Sequence, residues 1–271
     1  MDMMRESALL TDTVDLKSCC AAAYQSDWAL LLLGESFHPG GLALTEHLGM
    51  LLGLAPGLVV LDVAAGQGMS AIRLAQRFGC TVVGVDYGAE SIATATAAAA
   101  TAGIADLVSF QQGDAEHLPV AAGAFDAVIC ECAFCTFPDK PTAASEMMRV
   151  LKDGGQVGLS DITRSGPVPP DLQGLLAWIA CIADAQPLDS YVQYLTSAGL
   201  SVDNVERHDA ALNAMVRDIQ GKLLGTELLV ALKQVTLPAN ADLAQAKMLA
   251  KSAATAIAAG TFGYAVITAT K

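Results

Sequence analysis

The spacing of apolar residues changes at about residue 57 of the chain. The preceding residues have a helical period, whereas short unbroken runs rich in Val, Leu and Ile begin there. Such runs are typical of parallel strands that are buried on both faces of a sheet. They predict seven strands, at 58–64, 81–87, 107–114, 127–132, 156–162, 201–209 and 262–271. Because helical segments alternate with them, we expect a doubly wound α/β sheet, mostly parallel, with an antiparallel last strand.

Helical patterns account for most of the remaining chain. They predict helices over 18–34, 42–53, 71–79, 89–101, 144–152, 169–184 and 188–199, and further helices within 210–258. We expect residues 1–55 to form a helical lid segment and residues 56–271 to form one domain. Within that domain, core motifs occupy 57–163, and helical additions occupy 164–199 and 210–258.

Composition argues against a membrane protein. Hydrophobic residues make up 53% of the 271 residues, but much of this fraction is alanine, which is a strong helix former rather than a lipid anchor. The longest strongly apolar run, Trp28–Gly34, is far shorter than the ~20 residues that a membrane-spanning helix needs. The first residues carry acids where a secretory signal needs basic residues. We therefore expect a cytoplasmic protein without a membrane partner.

Charge and cysteine content argue against a nucleic-acid-binding protein and against a disulfide-bonded one. The formal net charge is −13, and the 15 basic residues are scattered along the chain, so no concentrated basic face is available to a nucleic acid. The seven cysteines form an odd, unevenly spaced set, which favours reduced thiols over a disulfide framework.

A glycine turn follows the first predicted strand. LDVAAGQG places Gly66 and Gly68 where backbone amides at a helix N-terminus can face a ligand. A dinucleotide fingerprint would continue to a third glycine, but Ala71 occupies that position. Asp62, at the end of the strand, would repel a pyrophosphate and would suit a ligand that carries an ammonium or sulfonium group. This turn therefore argues against NAD.

Two further acids end the next two strands. Asp86 lies 20 residues beyond Gly66, where a carboxylate can accept hydrogen bonds from two ribose hydroxyls. Asp114, in GDAEHLP, can reach an adenine amino group. Each aspartate taken singly is also typical of a turn or a helix cap. Because three successive strands end in acids beside a glycine turn, a nucleoside site is favoured.

These motifs together resemble the class I S-adenosylmethionine-dependent methyltransferases. VVLDVAAGQG, VVGVDY, GDAEHLP, FDAVICE and MMRVLKDGGQVGLSD are similar to successive family motifs across 57–163. The resemblance implies a Rossmann-like sheet and S-adenosylmethionine as cofactor. The implied cofactor-binding residues are Asp62, Ala64, Gly66, Gly68, Asp86, Tyr87, Asp114, Ala115 and Cys130. Ala64 departs from the family pattern, which usually has glycine there.

Three cysteines leave the fourth strand at the edge where ligands bind in open α/β sheets. Buried cysteine is often only a small packing residue. However, ICECAFCTFPDK and WIACIADAQPLDSYVQYLTSAG resemble segments of the arsenite methyltransferases. That resemblance implies Cys132 and Cys181 as metalloid ligands and catalytic positions. We expect Cys135 to join them, with Cys19 or Cys20 as a further candidate.

The chemistry of trivalent arsenic suits such a site. Arsenic is a soft acceptor for thiolates, its lone pair is the nucleophile, and no general base is required. An organic acceptor such as a phenol or quinone would instead need a base, for which His38, His117 and Glu131 are candidates. The cysteines are also compatible with a zinc site, and the chain is compatible with a non-catalytic protein that binds the cofactor or a metalloid. Expected partners are a small-molecule or metalloid substrate and a thiol reductant.

Overall fold

The computed structural model describes residues 13–25, 37–174, 177, 180–235 and 242–271. Seven strands are present in these residues: β1 Val59–Val63, β2 Thr81–Asp86, β3 Val108–Gln112, β4 Phe125–Glu131, β5 Leu151–Arg164, β6 Ser201–Arg207 and β7 Phe262–Thr270. The α-helices of the described residues are α1 Thr13–Tyr24, α2 Gly41–Leu51, α3 Met69–Phe78, α4 Ala89–Thr101, α5 Lys140–Val150, α6 Leu188–Ser197, α7 Asp209–Ala231 and α8 Leu243–Ala258.

The strands form one sheet in the order β3-β2-β1-β4-β5-β7-β6. β1 pairs in parallel with β2 and β4, and β7 is antiparallel to both β5 and β6. The order reverses between β1 and β4, so a crevice opens outside their carboxyl ends. The predicted sheet with its antiparallel last strand is confirmed.

Burial explains why these segments form strands. β1 is buried at four of its five positions and β7 at eight of nine, as expected for strands covered on both faces. Gly158 in β5 lets the backbone approach α2, because an added Cβ would lie 2.7 Å from Cδ1 of Leu48. The core thus fixes α2 against the centre of the sheet.

One predicted helix differs from the structure. The pattern of 169–184 predicts a helix. In the described residues Pro170–Leu172 form a short 3-10 turn, Ala177 is helical, and residues 180–184 are not helical. Cys181 has φ +61°, which is incompatible with a right-handed helix. Residues 26–36, which include most of the remainder of the predicted helix 18–34, lie outside the described residues. In the described part of the chain, no helix has the length and apolarity needed to span a membrane.

Candidate active site

A pocket opens at the carboxyl ends of β1, β2 and β4. It contains about 1170 Å³ of space between atoms, part of it open to solvent, which is ample for a nucleoside-sized ligand. Its lining includes seven of the predicted cofactor-binding residues: Asp62, Ala64, Gly66, Asp86, Tyr87, Asp114 and Ala115. Helix α1 contributes Lys17, Cys20, Ala21 and Tyr24. The sheet edge and the first described helix therefore enclose one cavity.

The glycine turn is built as its sequence predicts. Gly66 and Gly68 have φ values of +53° and +81°, a region that favours glycine. Gly68 immediately precedes α3, and a Cβ there would lie 2.5 Å from Cζ of Phe110 and 2.8 Å from Cβ of Ala95. Gly68 does not line the pocket. Its lack of a side chain instead allows Phe110 and Ala95 to pack closely beneath the turn.

Asp86 is held by the backbone around it. Its two carboxylate oxygens accept hydrogen bonds from the N–H groups of Gly66 and Gly88, each at 2.8 Å. Burial raises the pKa of Asp86, and these two hydrogen bonds oppose that rise. Each carboxylate oxygen has a second lone pair that remains available to a hydroxyl group. This carboxylate therefore has free acceptor capacity at the position where the sequence predicts a ribose.

Two buried carboxylates face the pocket with an unpaired oxygen. Among the described residues, Oδ2 of Asp62 and Oε1 of Glu131 are buried without a hydrogen-bond partner. Burial raises the pKa of Asp62 well above its usual value, with further contributions from the charges of Glu131 and Asp86. A cation in the pocket would relieve all of these effects, because it pairs with carboxylates that are otherwise desolvated. These residues fit a ligand that carries ammonium and sulfonium charge.

The other oxygen of Glu131 belongs to a polar network. Oε2 accepts hydrogen bonds from the hydroxyls of Ser70 at 2.7 Å and Thr45 at 2.9 Å. Nε2 of His38 lies 3.6 Å from the same oxygen and 3.2 Å from the Thr45 hydroxyl. From the sequence, His38 and Glu131 were predicted only as candidate bases, and Thr45 on α2 and Ser70 on α3 were not predicted. No short motif marks either hydroxyl.

Asp114 has a partner that the sequence did not predict. Nζ of Lys17 lies 2.7 Å from Oδ2 of Asp114 and 2.5 Å from Oε2 of Glu116. Because Lys17 comes from α1, this ion pair ties the first described helix to the loop after β3. A ligand amino group would share the Asp114 carboxylate with this lysine. We call Asp62, Asp86, Asp114 and Glu131 the acid edge.

Three thiols meet beside the acid edge. The Cys181 thiol donates a hydrogen bond to the carbonyl oxygen of Cys132 at 3.1 Å and lies within hydrogen-bonding reach of the Cys132 and Cys135 thiols. Cys132 lines the pocket, whereas Cys135 and Cys181 are buried just behind it. We call these three residues the thiol corner. These three sulfur atoms are not among the groups of described ligand atoms that all lie within 4.8 Å of one another, so a shared ligand would require them to move closer together.

The three thiols of the thiol corner differ in pKa. Hydrogen bonds from the Cys132 and Cys135 thiols lower the pKa of Cys181 well below its usual value. The hydrogen bond to Cys181 raises the pKa of Cys132, and burial followed by the same kind of hydrogen bond raises that of Cys135. When Cys181 loses its proton, it gives up the hydrogen bond to the Cys132 carbonyl oxygen, and its thiolate accepts hydrogen bonds from the two neighbouring thiols.

Backbone strain accompanies this convergence. Cys132 and Cys181 have φ values of +52° and +61°, which are uncommon for residues other than glycine. Such conformations cost of order 1 kcal/mol or more and are concentrated at functional sites. The Tyr24 hydroxyl lies 3.5 Å from the Cys181 sulfur, so α1 also reaches this corner. Tyr24 was not predicted from the sequence.

The remaining predicted cysteines lie elsewhere. Cys130 is fully buried in the core and does not line the pocket, because alternation along β4 directs Glu131 to the pocket and Cys130 away from it. Cys20 lines the pocket, whereas Cys19 is exposed and does not. Of the predicted upstream pair, only Cys20 lies where it can meet a ligand. His117 is exposed and also lies outside the lining.

Proteins that are similar in sequence to this chain include named methyltransferases. An arsenite methyltransferase of Halobacterium salinarum (strain NRC-1) is 31% identical over 192 residues, which are 70% of this chain and 49% of that protein. Nocamycin O-methyltransferase of Saccharothrix syringae is 39% identical over 117 residues, which are 42% of this chain and 40% of that protein. The chain spans about half the length of the curated relatives that it matches.

Solved structures show the same fold. Phosphoethanolamine N-methyltransferase 2 of Haemonchus contortus, in complex with S-adenosyl-L-methionine, superposes with a TM-score of 0.76 at 20% identity. The match covers 93% of this chain and 57% of that one. A family model described as a methyltransferase domain matches residues 54–199, more than half of the chain. The chain therefore belongs to the methyltransferase domain family.

Proposed function

We propose that this chain is an S-adenosylmethionine-dependent methyltransferase whose acceptor is trivalent arsenic held by the thiol corner. The observation that carries the proposal is the contact of Cys181 with Cys132, 49 residues away in the sequence, and with Cys135, directly beside the acid edge. Packing alone does not require three thiols at one point, and two of them occupy a strained backbone conformation.

The acid edge would hold the cofactor. Asp86 would accept the ribose hydroxyls, since backbone N–H groups already fix the direction of its carboxylate. Asp62 and Glu131 would face the positive groups, because each has a buried oxygen without a partner among the described residues. Asp114 would bind the adenine amino group while it remains near Lys17. When bound, S-adenosylmethionine supplies an electrophilic methyl group.

The thiol corner would hold and orient the acceptor. Arsenous acid loses one hydroxide for each As–S bond that forms, and each thiol proton leaves with that hydroxide as water. Neither an oxidant nor a base is therefore needed for binding. Three As–S bonds leave the arsenic lone pair opposite the sulfurs, so its direction is set by Cys132, Cys135 and Cys181. Their main contribution is to position the nucleophile in a buried site.

Helix α1 would act as the lid predicted for the N-terminal segment. It contacts both parts of the pocket, through Lys17 at Asp114 and Glu116 and through Tyr24 at Cys181. A helix with these two contacts can exclude water from the space between the acid edge and the thiol corner. Residues 56–271 would then form the methyltransferase domain on which this lid closes.

An organic acceptor is the second candidate, and one observation favours it. His38 and Glu131 form a buried acid–imidazole pair in the same pocket, and a relative is named an O-methyltransferase. A hydroxyl acceptor needs proton removal, which this pair can provide. The proposal for arsenic makes no use of His38, so the two candidates predict different effects for its substitution.

Methyl transfer with a small thiol reductant present tests the proposal. Cys132→Ser and Cys181→Ser should each lower arsenic methylation by at least about 100-fold, because a hydroxyl is a poor ligand for a soft ion. Cofactor binding, measured by calorimetry, should stay within about twofold, and His38→Gln should keep most of the arsenic activity. Cys19→Ser is the matched control, since Cys19 is exposed and outside the pocket.

Three outcomes would contradict the proposal. Full arsenic methylation in both serine variants would exclude the thiol corner as the acceptor site. Transfer to a phenolic acceptor that is lost in His38→Gln, with no transfer to arsenic in the unaltered protein, would establish the organic acceptor. Cofactor binding with no transfer to any acceptor would indicate a binding protein instead of an enzyme.

A further inference from the structure

A second cluster of metal-ligating side chains lies at the far edge of the sheet. Among the described residues, His47, Glu206 and His208 are the one group of three potential ligands whose donor atoms all lie within 4.8 Å of one another. We propose that these three residues form a binding site for a divalent transition-metal ion such as Zn²⁺ or Co²⁺. The inference does not depend on the proposed function, because it concerns a different part of the molecule.

Strand periodicity brings two of the ligands together. Side chains at every second position of a strand point to the same face, so Asn204, Glu206 and His208 share one side of β6 and its extension. Arg207 lies on the opposite side and pairs with Asp209, with Nε of Arg207 3.1 Å from Oδ2 of Asp209. The neighbouring cation is therefore directed away from the cluster.

Helix α2 supplies the third ligand. Nε2 of His47 lies 2.6 Å from Oε2 of Glu206, and Nε2 of His208 lies 3.1 Å from the same oxygen. The two imidazole rings have centroids 5.7 Å apart, so both rings converge on one carboxylate oxygen. Two imidazoles and one carboxylate are a common donor set for zinc and for other first-row transition metals.

The carboxylate has the support that metal ligands usually have. Nδ2 of Asn204 donates a hydrogen bond to Oε1 of Glu206 at 2.9 Å, which fixes the side chain and leaves Oε2 for the cluster. A glutamate side chain is an anionic ligand at neutral pH. The side chains of all three ligands are between 25% and 35% exposed, so an ion can enter from solvent.

Metal binding requires only a local change. Each Nε2 must present a lone pair, so its proton moves to Nδ1 or to solvent, and the ion replaces the hydrogen bonds to Glu206. The bound ion would then link α2 to the edge strand. Because a metal that binds only the folded state stabilises it, the site should make the protein more resistant to unfolding.

Cobalt titration of protein without a polyhistidine tag tests the inference. Co²⁺ should bind with visible d–d bands of a nitrogen and oxygen site, and without the sulfur-to-cobalt charge-transfer bands that the thiol corner would give. His47→Gln and His208→Gln should each weaken this binding by at least about tenfold. His117→Gln is the matched control, because His117 is exposed and lies apart from the cluster, and it should not change the titration.

Two measurements on the unaltered protein keep the test decisive if a variant fails to fold. X-ray absorption of the Co²⁺ complex should show two imidazoles and no sulfur ligand. The Tm should rise by roughly 5–10 °C at a free metal concentration about a hundredfold above Kd. Sulfur ligation, absence of a saturable signal, or equal binding by the folded His47 and His208 variants would overturn the proposal.

Discussion

The acid edge and the thiol corner adjoin the same pocket but are assembled differently. Asp62 and Asp86 end successive strands of one βαβ unit, and Asp86 is oriented by backbone N–H groups close to it in space. The thiol corner joins the loop after β4 to the segment before α6, and contacts of the Cys181 side chain with the backbone of Cys132 and with the Cys132 and Cys135 thiols hold it. Local turn geometry therefore builds one region, and tertiary packing builds the other.

The two regions also differ in backbone strain. In the turn beside the acid edge, Gly66 and Gly68 have positive φ values at little cost, and Ala64 is the one residue with a side chain that shares this conformation. In the thiol corner, the positive φ values belong to Cys132 and Cys181, which have side chains. The acid edge should therefore tolerate substitutions that keep its turn, whereas the thiol corner should depend on its surroundings.

Substitution of Gly68 should have the largest effect on folding. Gly68→Ala places a Cβ against Phe110 and Ala95 in a left-handed backbone conformation, and we expect a loss of about 2–4 kcal/mol in the free energy of unfolding. Gly66→Ala is the matched variant, because its Cβ meets only Phe37 at 3.9 Å. It should cost about 1–2 kcal/mol. Urea denaturation of both variants tests the difference, and equal losses would contradict it.

Substitution of Asp86 should weaken cofactor binding at the acid edge and leave arsenic binding at the thiol corner unchanged. Asp86→Ala removes a charged acceptor for two hydroxyls, so cofactor affinity should fall about 100-fold, which corresponds to about 2.7 kcal/mol. Arsenic binding by the thiols should be unchanged. Calorimetry with S-adenosylhomocysteine and thiol titration with arsenite measure the two affinities. A parallel loss of both would show that the acid edge and the thiol corner are not independent.

Substitution of Cys135 tests whether the thiol corner has two or three sulfur ligands. Cys135→Ser should weaken arsenite binding by about 10-fold to 100-fold if its thiol completes the set, with cofactor affinity unaffected. Cys19→Ser provides the control, because that thiol is exposed. Arsenite binding that stays unchanged in Cys135→Ser would reduce the site to Cys132 and Cys181.

The smallest effect is expected at Ala64. Its φ of +60° strains a residue with a side chain, at the position where the family pattern has glycine. Ala64→Gly should stabilise the protein by about 0.5–1 kcal/mol, because relief of the strain exceeds the entropy that glycine adds to the unfolded chain. A rise in the midpoint of urea unfolding without a change in m-value measures this effect. A lower midpoint would show that the strain at Ala64 is supported by its contacts.

The sequence predicted most of the fold because buried strands and glycine turns leave local signals. All seven strands lie within or overlap the predicted runs, and α4 has the predicted bounds of 89–101. Of the helix predicted over 169–184, Ala177 is helical, whereas residues 180–184 are not. Apolar periodicity cannot reveal that Cys181 takes a positive φ, since that angle is set by contacts with the rest of the fold.

Sequence alone determined which residue types reach the carboxyl edge of the sheet, because each follows a strand whose position the apolar pattern fixes. Only the tertiary structure decided which of those residues share a space. In the folded protein, Cys130 lies in the core and Cys181 contacts Cys132. Lys17 pairs with Asp114, and His47 forms a hydrogen bond with Glu206. The physical reason is that strand alternation and turns act over a few residues, whereas these contacts depend on how distant segments pack.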